Sequence, residues 1–198
     1  MAFLKKLLKV FSGSDGTVSI ELLEPTKMQL RKITAIHEAA HLVMAYLSDF
    51  YFLQGAVYLV NHDVGETTVT LSKKKLGKAG KPLNPTVVQE LEVALDAMRI
   101  YYAGLEAERI YCTKHGFKLD DSYSKNDLNR IDEIALDIIP SYNVSRNLVI
   151  QQTKDKVLHN WQAIEQVSEQ LLASPDGITD VIDVIMFLDM GYNRNSHI

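Results

Sequence analysis

Two histidines and a glutamate lie close together in the stretch ITAIHEAAHLVMAY, residues 33–46. His37 and His41 are four residues apart, and Glu38 directly follows the first histidine. Residues four apart on an α-helix project from one face, about one turn apart, so both imidazoles can reach one metal ion. Glu38 is rotated by about 100° from His37 and can reach a water molecule beside that metal without being a ligand. The spacing predicts a zinc site that activates water.

The chemistry expected of such a site is hydrolysis. Zinc lowers the pKa of a bound water from 15.7 toward about 7 and polarises a carbonyl group. Glu38 would accept the proton of the attacking water and pass it to the leaving amine. The alternative is a pair of ordinary helix histidines beside a surface glutamate. A catalytic zinc also needs a third protein ligand and an open fourth position, so the rest of the chain must supply a ligand.

The third ligand is better sought among carboxylates than among histidines. The extended metzincin pattern requires glycine at position 44 and histidine at position 47, where this chain has Met44 and Leu47, so that class is excluded. We interpret the four remaining histidines as isolated surface or loop residues: His62, His115, His159 and His197. The carboxylate candidates are Glu106 and Glu108 in YYAGLEAERIY and Asp120, Asp121 and Asp127 in LDDSYSKNDLNR.

The elements that position these residues are predicted to be mostly helices. An apolar stripe predicts a helix over residues 27–48. Alternation over residues 55–72 predicts one hairpin that pairs Val57 and Leu59 with Val69 and Leu71, with Gly65 in the turn. The stretch 73–85, rich in Lys, Gly and Pro, is expected to be a mobile surface loop.

The second half of the chain continues the helical pattern. A helix is predicted from Thr86, as N-cap with Gln89 as its capping-box partner, to about residue 111. After a loop at 114–124, Ser124 or Asn126 could cap another helix, which Pro140 ends or bends. Residues 143–150 are expected to be irregular, and two more helices are predicted around 153–173 and 178–190. The fold class is therefore mainly α, with one small β-hairpin next to the helix that carries the HExxH motif.

The N-terminal residues form a separate feature. Apolar residues at helical spacing, with lysines off the stripe, predict an amphipathic helix near residues 2–11, and SGSDG (12–16) predicts a flexible joint. The favoured interpretation is packing on the protein's own core or on a sister subunit in a homo-oligomer. Peripheral contact with an anionic membrane surface is the alternative.

Composition and motifs limit the classes of molecule that this chain is expected to bind. The chain has 198 residues, a formal net charge of −4 and a pI near 5.9, which gives no reason to expect nucleic acid as a partner. There is no phosphate-binding GxxxxGK[ST] motif, so nucleotide is not expected. The single cysteine, Cys112, rules out an internal disulfide and fits a reducing compartment. No apolar run reaches the roughly 18 residues that span a bilayer.

Three motifs in order resemble the peptidase domain of FtsH-type zinc metalloproteases. They are ITAIHEAAHLVMAYL, then YAGLEAERIY after the hairpin, then SKNDLNRIDEIA, and the resemblance covers roughly residues 27–190. The resemblance implies that His37, His41 and Asp127 hold one zinc ion per chain and that Glu38 is the catalytic base. It also implies that Glu108 and Asn126 orient the zinc ligands without binding the zinc ion themselves. Asp127 is thereby preferred over Asp120 and Asp121.

The resemblance also sets the expected organisation and function. We expect the amphipathic helix and joint at 1–16, an FtsH-like metallopeptidase domain at 17–192 and a C-terminal tail at 193–198. The expected activity is ATP-independent cleavage of peptides or unfolded polypeptides, in the cytoplasm or peripherally at the membrane surface, because no ATPase module precedes the domain. The hairpin edge would bind an extended substrate. The alternative is a non-catalytic zinc-binding adaptor of FtsH-like proteases or of a membrane partner.

The chain also departs from the family pattern. Ala40 stands where the family has glycine in the motif helix. Alanine is the better helix former and keeps the ligand spacing. Ala103 and Leu105 stand where the family has glycine and arginine. These departures leave the predicted ligands and base unchanged.

Overall fold

The computed structural model describes residues 10–12, 18–20, 22–83, 90–120 and 124–195, and it confirms a mainly helical fold. Within the described residues, the short strands form two two-stranded sheets and one three-stranded sheet, all antiparallel. The helices are α1 Lys27–Tyr46, α2 Lys73–Lys78, α3 Leu91–His115, α4 Lys125–Tyr142, α5 Arg146–His159, α6 Trp161–Ala173 and α7 Val181–Asn195. The strands are β1 Val10–Ser12, β2 Val18–Ile20, β3 Tyr51–Leu53, β4 Ala56–Leu59, β5 Gly65–Glu66, β6 Val69–Leu71 and β7 Ile178–Asp180.

Helix α1 is the centre of the core, as its apolar stripe predicts. A capping box begins it: the Thr26 side chain accepts from the Gln29 backbone N–H, and the Gln29 side chain accepts from the Thr26 N–H. Every residue from Ile33 to Ala45 is buried, mainly against α3 and α6. Because the helix is enclosed almost all round, its polar residues must find partners inside the protein.

The strands pair differently from the predicted hairpin. Strand β6 pairs with β3, with Tyr51 opposite Leu71, and not with β4. Strand β4 lies between β5 and β7, and Gly65 is a strand residue opposite Leu59 rather than a turn residue. The alternation of apolar residues was interpreted correctly as strand, but it does not encode which strand is the partner. Strand β7 comes from a segment more than a hundred residues later.

The stretch 73–85, predicted to be a mobile loop, begins with helix α2. Ser72 caps it by accepting from the Lys75 backbone N–H, and Leu76 is fully buried. The Lys75 ammonium group donates to the backbone carbonyls of Ser48 and Tyr51. A single buried leucine and two lysine hydrogen bonds therefore hold a segment whose composition predicts a loop.

Helix α3 lies behind α1, and its ends differ from the predicted ones. It begins at Leu91 with Glu90 as N-cap, while Thr86 and Gln89 lie outside the described residues. It continues to His115, beyond the predicted end near 111, and stops where Gly116 adopts the left-handed conformation with φ of 70°. The glycine is the physical stop signal, and it lies one turn later than the end of the apolar pattern.

The last third of the chain is more helical than predicted. Pro140 does not end α4, which continues to Tyr142 and stops at Asn143 with φ of 52°. The segment predicted to be irregular instead begins α5, because the Ser145 hydroxyl accepts from the Leu148 N–H. The predicted helix 153–173 is two helices that meet at Asn160, and the predicted helix at 178 is preceded by strand β7.

The prediction of a helix near residues 2–11 is wrong at the C-terminal end of that range. Residues 10–12 form strand β1, which pairs with β2 so that Val10 lies opposite Ile20. Residues 1–9 and 13–17 lie outside the described part of the chain, as do 196–198, whereas α7 extends to Asn195 into the predicted tail. Within the described ranges, no helix combines the length and apolar character needed to cross a lipid bilayer.

Candidate metal centre

Helix α1 presents His37, Glu38 and His41 inside the protein. Their exposed fractions are 6%, 4% and 6%. The two imidazole rings meet edge to face, with centroids 4.5 Å apart. Their Nε2 atoms lie 2.8 Å apart. The helical spacing of four residues thus aims two potential ligand atoms at one point.

Asp127 reaches the same point from another helix. It lies in the first turn of α4, and its Oδ2 atom is 2.9 Å from His37 Nε2 and 3.1 Å from His41 Nε2. These three residues are the group of potential metal ligands that the described residues contain. The structure therefore brings together the ligand set that the resemblance implies, from segments 86 residues apart in the chain.

The opposite nitrogens of both rings are held by acceptors. His37 Nδ1 lies 2.9 Å from Glu108 Oε1, and His41 Nδ1 lies 2.7 Å from the backbone carbonyl of Ile100. Both partners can only accept, so Nδ1 carries the hydrogen in each ring and Nε2 of the neutral ring offers a lone pair. Ser124 donates to the other oxygen of Glu108 at 3.1 Å, which fixes that carboxylate.

The three potential ligand atoms fit a zinc ion. Two Nε2 lone pairs and a carboxylate oxygen converge at 2.8–3.1 Å from one another, although all three are acceptors. Acceptors this close repel one another unless a proton or a metal cation lies among them. Two imidazoles and one carboxylate are a typical catalytic zinc set, and carbonyl or carboxylate partners on Nδ1 are typical supports for such ligands.

Gly104 of α3 makes room for this centre. A β-carbon at position 104 would lie 2.6 Å from His37 Nε2 and 2.7 Å from His41 Nε2. Glycine in a helix interior costs about 1 kcal/mol relative to alanine, so a close approach explains its presence here. The predicted site omitted Gly104, and an isolated glycine inside YAGLEAER was the signal that could have found it.

Glu38 faces a cleft next to the ligands. The cleft has a volume of about 350 Å³ and is bordered by Gly65, Thr67 and Asn126 as well as by the ligands. The Thr67 hydroxyl donates to Glu38 Oε2 at 2.5 Å, and a β-carbon at Gly65 would lie 2.5 Å from the Glu38 side chain. Both contacts are long-range, so no local pattern could have indicated Thr67 or Gly65.

The charges at the centre shift its pKa values in opposite directions. Burial lowers the pKa of His37, but the carboxylates of Glu108 and Asp127 outweigh burial and raise it well above 6.5. The pKa of His41 is raised as well, mainly by Asp127 against the effect of burial. Burial raises the pKa of Asp127, yet the two histidines bring it far below 3.8. The carboxylates at the centre therefore favour positive charge on the two imidazole rings.

The other described carboxylate candidates are not part of the cluster of potential ligands. Glu106 is buried but accepts from Arg109 at 2.7 Å. Asp120 is exposed, and Asp121 lies outside the described residues. Asn126 borders the cleft and is exposed, and its side chain makes no hydrogen bond within the described ranges, so its predicted supporting role has no contact behind it.

The other described histidines are not part of the cluster of potential ligands. His62 lies near Asp63, with 3.9 Å between Nε2 and Oδ1. The His115 ring packs against Tyr111 with centroids 4.3 Å apart. His159 is exposed at the end of α5, and His197 lies outside the described residues.

Neither the models of known protein families nor the curated proteins match the chain. The interpretation therefore rests on the residues and their geometry.

Proposed function

We propose that this protein is a zinc-dependent peptidase that cleaves unstructured polypeptides without ATP. The observation that carries the proposal is the convergence of His37, His41 and Asp127, with Glu38 beside them on the cleft side. Three ligands leave a fourth position for water or substrate, which distinguishes catalytic from structural zinc sites. The order of motifs that resembles FtsH-type peptidases supports the same reaction.

Each residue has a role in the proposed mechanism. His37, His41 and Asp127 would hold the zinc ion, which when bound polarises a carbonyl group and lowers the pKa of water. Glu38 accepts a proton from the attacking water and delivers it to the leaving amine. Thr67 holds the Glu38 carboxylate in one orientation through its hydrogen bond. Glu108 orients the His37 ring and increases its basicity as a ligand.

The substrate is an extended segment of polypeptide. Among the described residues, strand β5 pairs with β4 on one side only, and its residues Gly65 and Glu66 border the cleft. A free strand edge can pair with the main chain of a substrate, which suits peptides and unfolded proteins of varied sequence. An expected cytoplasmic location belongs to the same proposal, because a lone buried cysteine, Cys112, fits a reducing compartment.

The variant Glu38→Gln tests the assignment. It should retain about one zinc per chain, because Glu38 is not a ligand, and should cleave an unstructured protein such as casein at least about a hundredfold more slowly. Zinc is measured by elemental analysis and cleavage by mass spectrometry of the products. Glu106→Gln is the matched control, since Glu106 is equally buried but pairs with Arg109 away from the cleft.

The outcomes separate the proposed reaction from the adaptor alternative. Loss of zinc in Glu38→Gln would mean that Glu38 is a ligand and would contradict its role as base. A wild-type protein that holds zinc but cleaves no unstructured substrate would favour a non-catalytic zinc-binding adaptor. Wild-type protein that binds no zinc, even when zinc is supplied, would reject both.

A further inference from the structure

A second cavity, of about 430 Å³, has a lining that shares no residue with the cleft at the metal centre. We call it the side-chain pocket, and its wall contains Val69, Leu71, Tyr101, Ile134 and the charged residues Arg130, Glu133 and Asp137. The mechanism proposed above uses none of these residues. The pocket is large enough for one long side chain.

Three chain segments connect the pocket to the centre. Val69 follows Thr67, which holds Glu38, by two residues. Tyr101 follows Ile100, whose carbonyl accepts from His41. Arg130 lies one helical turn after Asp127 on α4. The pocket lining therefore belongs to the same chain segments that carry the metal centre, so we expect a residue near the scissile bond to reach the pocket.

The inner wall of the pocket is apolar and only partly covered. Val69, Leu71, Tyr101 and Ile134 are half-buried and pack against the core, so one side of each faces the cavity. Such a wall favours a side chain with a long hydrocarbon stem. The ring of Tyr101 can also contact a cation through its face.

The outer rim of the pocket is negative. Arg130 is paired with Glu133 at 3.0 Å, and both side chains are well exposed. Asp137 has no ion-pair partner among the described residues, which leaves one net negative charge at the rim. The neighbouring cleft adds Asp63 and Glu66, and its described lining contains no lysine or arginine. An apolar wall with an acidic rim suits a side chain that has an aliphatic stem and a cationic end.

We infer that the side-chain pocket binds an arginine or lysine of the substrate, close to the scissile bond, with its stem on Val69, Leu71 and Ile134 and its charge near Asp137. This inference rests on the proposed peptidase function and gives its substrate class: extended polypeptides with a basic residue at one fixed distance from the cleaved bond. The strand edge at β5 holds the main chain of such a substrate, and the pocket selects the side chain.

Peptide binding tests the pocket separately from turnover. Zinc-loaded Glu38→Gln protein is titrated with fluorescent unstructured peptides that differ at one residue: arginine, its neutral isostere citrulline, leucine or glutamate. Arginine should bind about threefold to fivefold more tightly than citrulline, as expected for a partly exposed ion pair. The difference should shrink at high salt. Leucine should bind more weakly than arginine, and glutamate most weakly.

Two exposed substitutions on α4 should act in opposite directions. Asp137→Asn removes the free rim charge and should abolish the advantage of arginine over citrulline. Arg130→Gln frees Glu133 and should enlarge that advantage by about twofold to fivefold. Asp176→Asn, an exposed aspartate outside the pocket, is the matched control and should change nothing.

Cleavage by the wild-type protein is the second test of the side-chain pocket. Mass spectrometry of products from a mixed peptide pool should find arginine or lysine at one constant position relative to the cut. Peptides that bind or are cut with no preference for a basic residue, or an arginine preference that survives in Asp137→Asn, would overturn the pocket assignment alone. A zinc-loaded protein that binds no peptide would overturn both the pocket and the peptidase proposal.

Discussion

At the scale of single residues, the centre depends on the hydrogen-bond partners of its histidines. Glu108 and the Ile100 carbonyl each hold one Nδ1 atom, so both Nε2 atoms point at Asp127. If either acceptor were absent, the corresponding ring could rotate or change tautomer, and the ligand atom would leave the shared point. The arrangement of acceptors around the rings therefore matters as much as the ligands themselves.

Gly104 gives a residue-scale prediction. In Gly104→Ala, the new methyl group would meet His37 and His41 at less than 3 Å, so the rings must move apart. We expect zinc affinity to fall by about tenfold to a hundredfold, as for other changes behind metal ligands. Competition with a chromophoric chelator measures this affinity, and circular dichroism checks that the helix content is unchanged.

Gly77→Ala is the control for that prediction. The nearest atom to a β-carbon at Gly77 of α2 is 3.7 Å away, an ordinary contact, so zinc affinity should stay at the wild-type value. Unchanged zinc affinity in Gly104→Ala would show that the rings tolerate a methyl group there. The close approach would then have no functional consequence.

At the scale of elements, α1 must begin at a defined residue because it carries His37, Glu38 and His41. The capping box of Thr26 and Gln29 satisfies backbone donors at its start, before the buried section begins at Ile33. The other end stops at Leu47, just before Ser48, whose hydroxyl donates to Asp96 of α3 at 2.5 Å. The motif helix is thereby held at both ends.

The cap gives an element-scale prediction. Thr26→Ala removes the acceptor for the Gln29 N–H and should lower the free energy of unfolding by about 1 kcal/mol. Thr26→Ser keeps a hydroxyl at the cap and should stay close to wild type. Urea unfolding followed by circular dichroism measures both. Equal destabilisation by alanine and serine would indicate that the threonine methyl group, and not the cap, is what matters.

Asp96 gives a prediction about pH. Burial raises its pKa above the ordinary value of 3.8, and the hydrogen bond from Ser48 offsets this only in part. A carboxyl group whose pKa is higher in the folded state binds more protons when folded, so it costs stability as pH rises from about 3.8 through the raised value. Asp96→Asn removes this cost and should gain stability relative to wild type as the pH rises through that window.

Unfolding by urea at a series of pH values measures that difference. Asp176→Asn, an exposed position, should run parallel to wild type throughout. If the stabilities of Asp96→Asn and wild type also changed in parallel with pH, the carboxyl group would have the same pKa in the folded and unfolded states. The proposal that burial raises the pKa of Asp96 in the folded protein would then be wrong.

At the scale of the whole molecule, the centre connects helices that are distant in the chain. Its proposed ligands come from α1 and α4, and the Glu108 carboxylate that contacts the His37 ring comes from α3. An ion bound there links these three helices in the folded state only, so binding must stabilise the fold.

Metal removal tests this linkage. Protein stripped with a chelator should unfold at a lower temperature, and zinc at about a thousand times its dissociation constant should restore about 4 kcal/mol of stability. Asp127→Ala should show little or no stabilisation by zinc. Thermal unfolding with and without zinc measures both. An equal response to zinc in wild type and Asp127→Ala would show that the ion binds elsewhere.

The sequence predicted the local features of this protein well. The helical class, the extent of α1 and the common face of His37 and His41 follow from periodicity and helix geometry within one segment. The predictions were wrong where the local sequence pattern was weak and a long-range contact determined the structure instead. Buried Leu76 turned a predicted loop into α2, and the pairing of β6 with β3 replaced the predicted hairpin.

The tertiary structure alone decided which distant residues meet at the centre. Residue type left several carboxylates open as third ligand, and the resemblance favoured Asp127. The packing of α4 on α3 brings Asp127 to the histidines and leaves Glu106 on another side. Thr67 and Gly104 reach the site in the same way, through contacts between segments far apart in the chain. Spacing within one helix is a local property that sequence determines, whereas contacts between elements depend on how the whole chain packs.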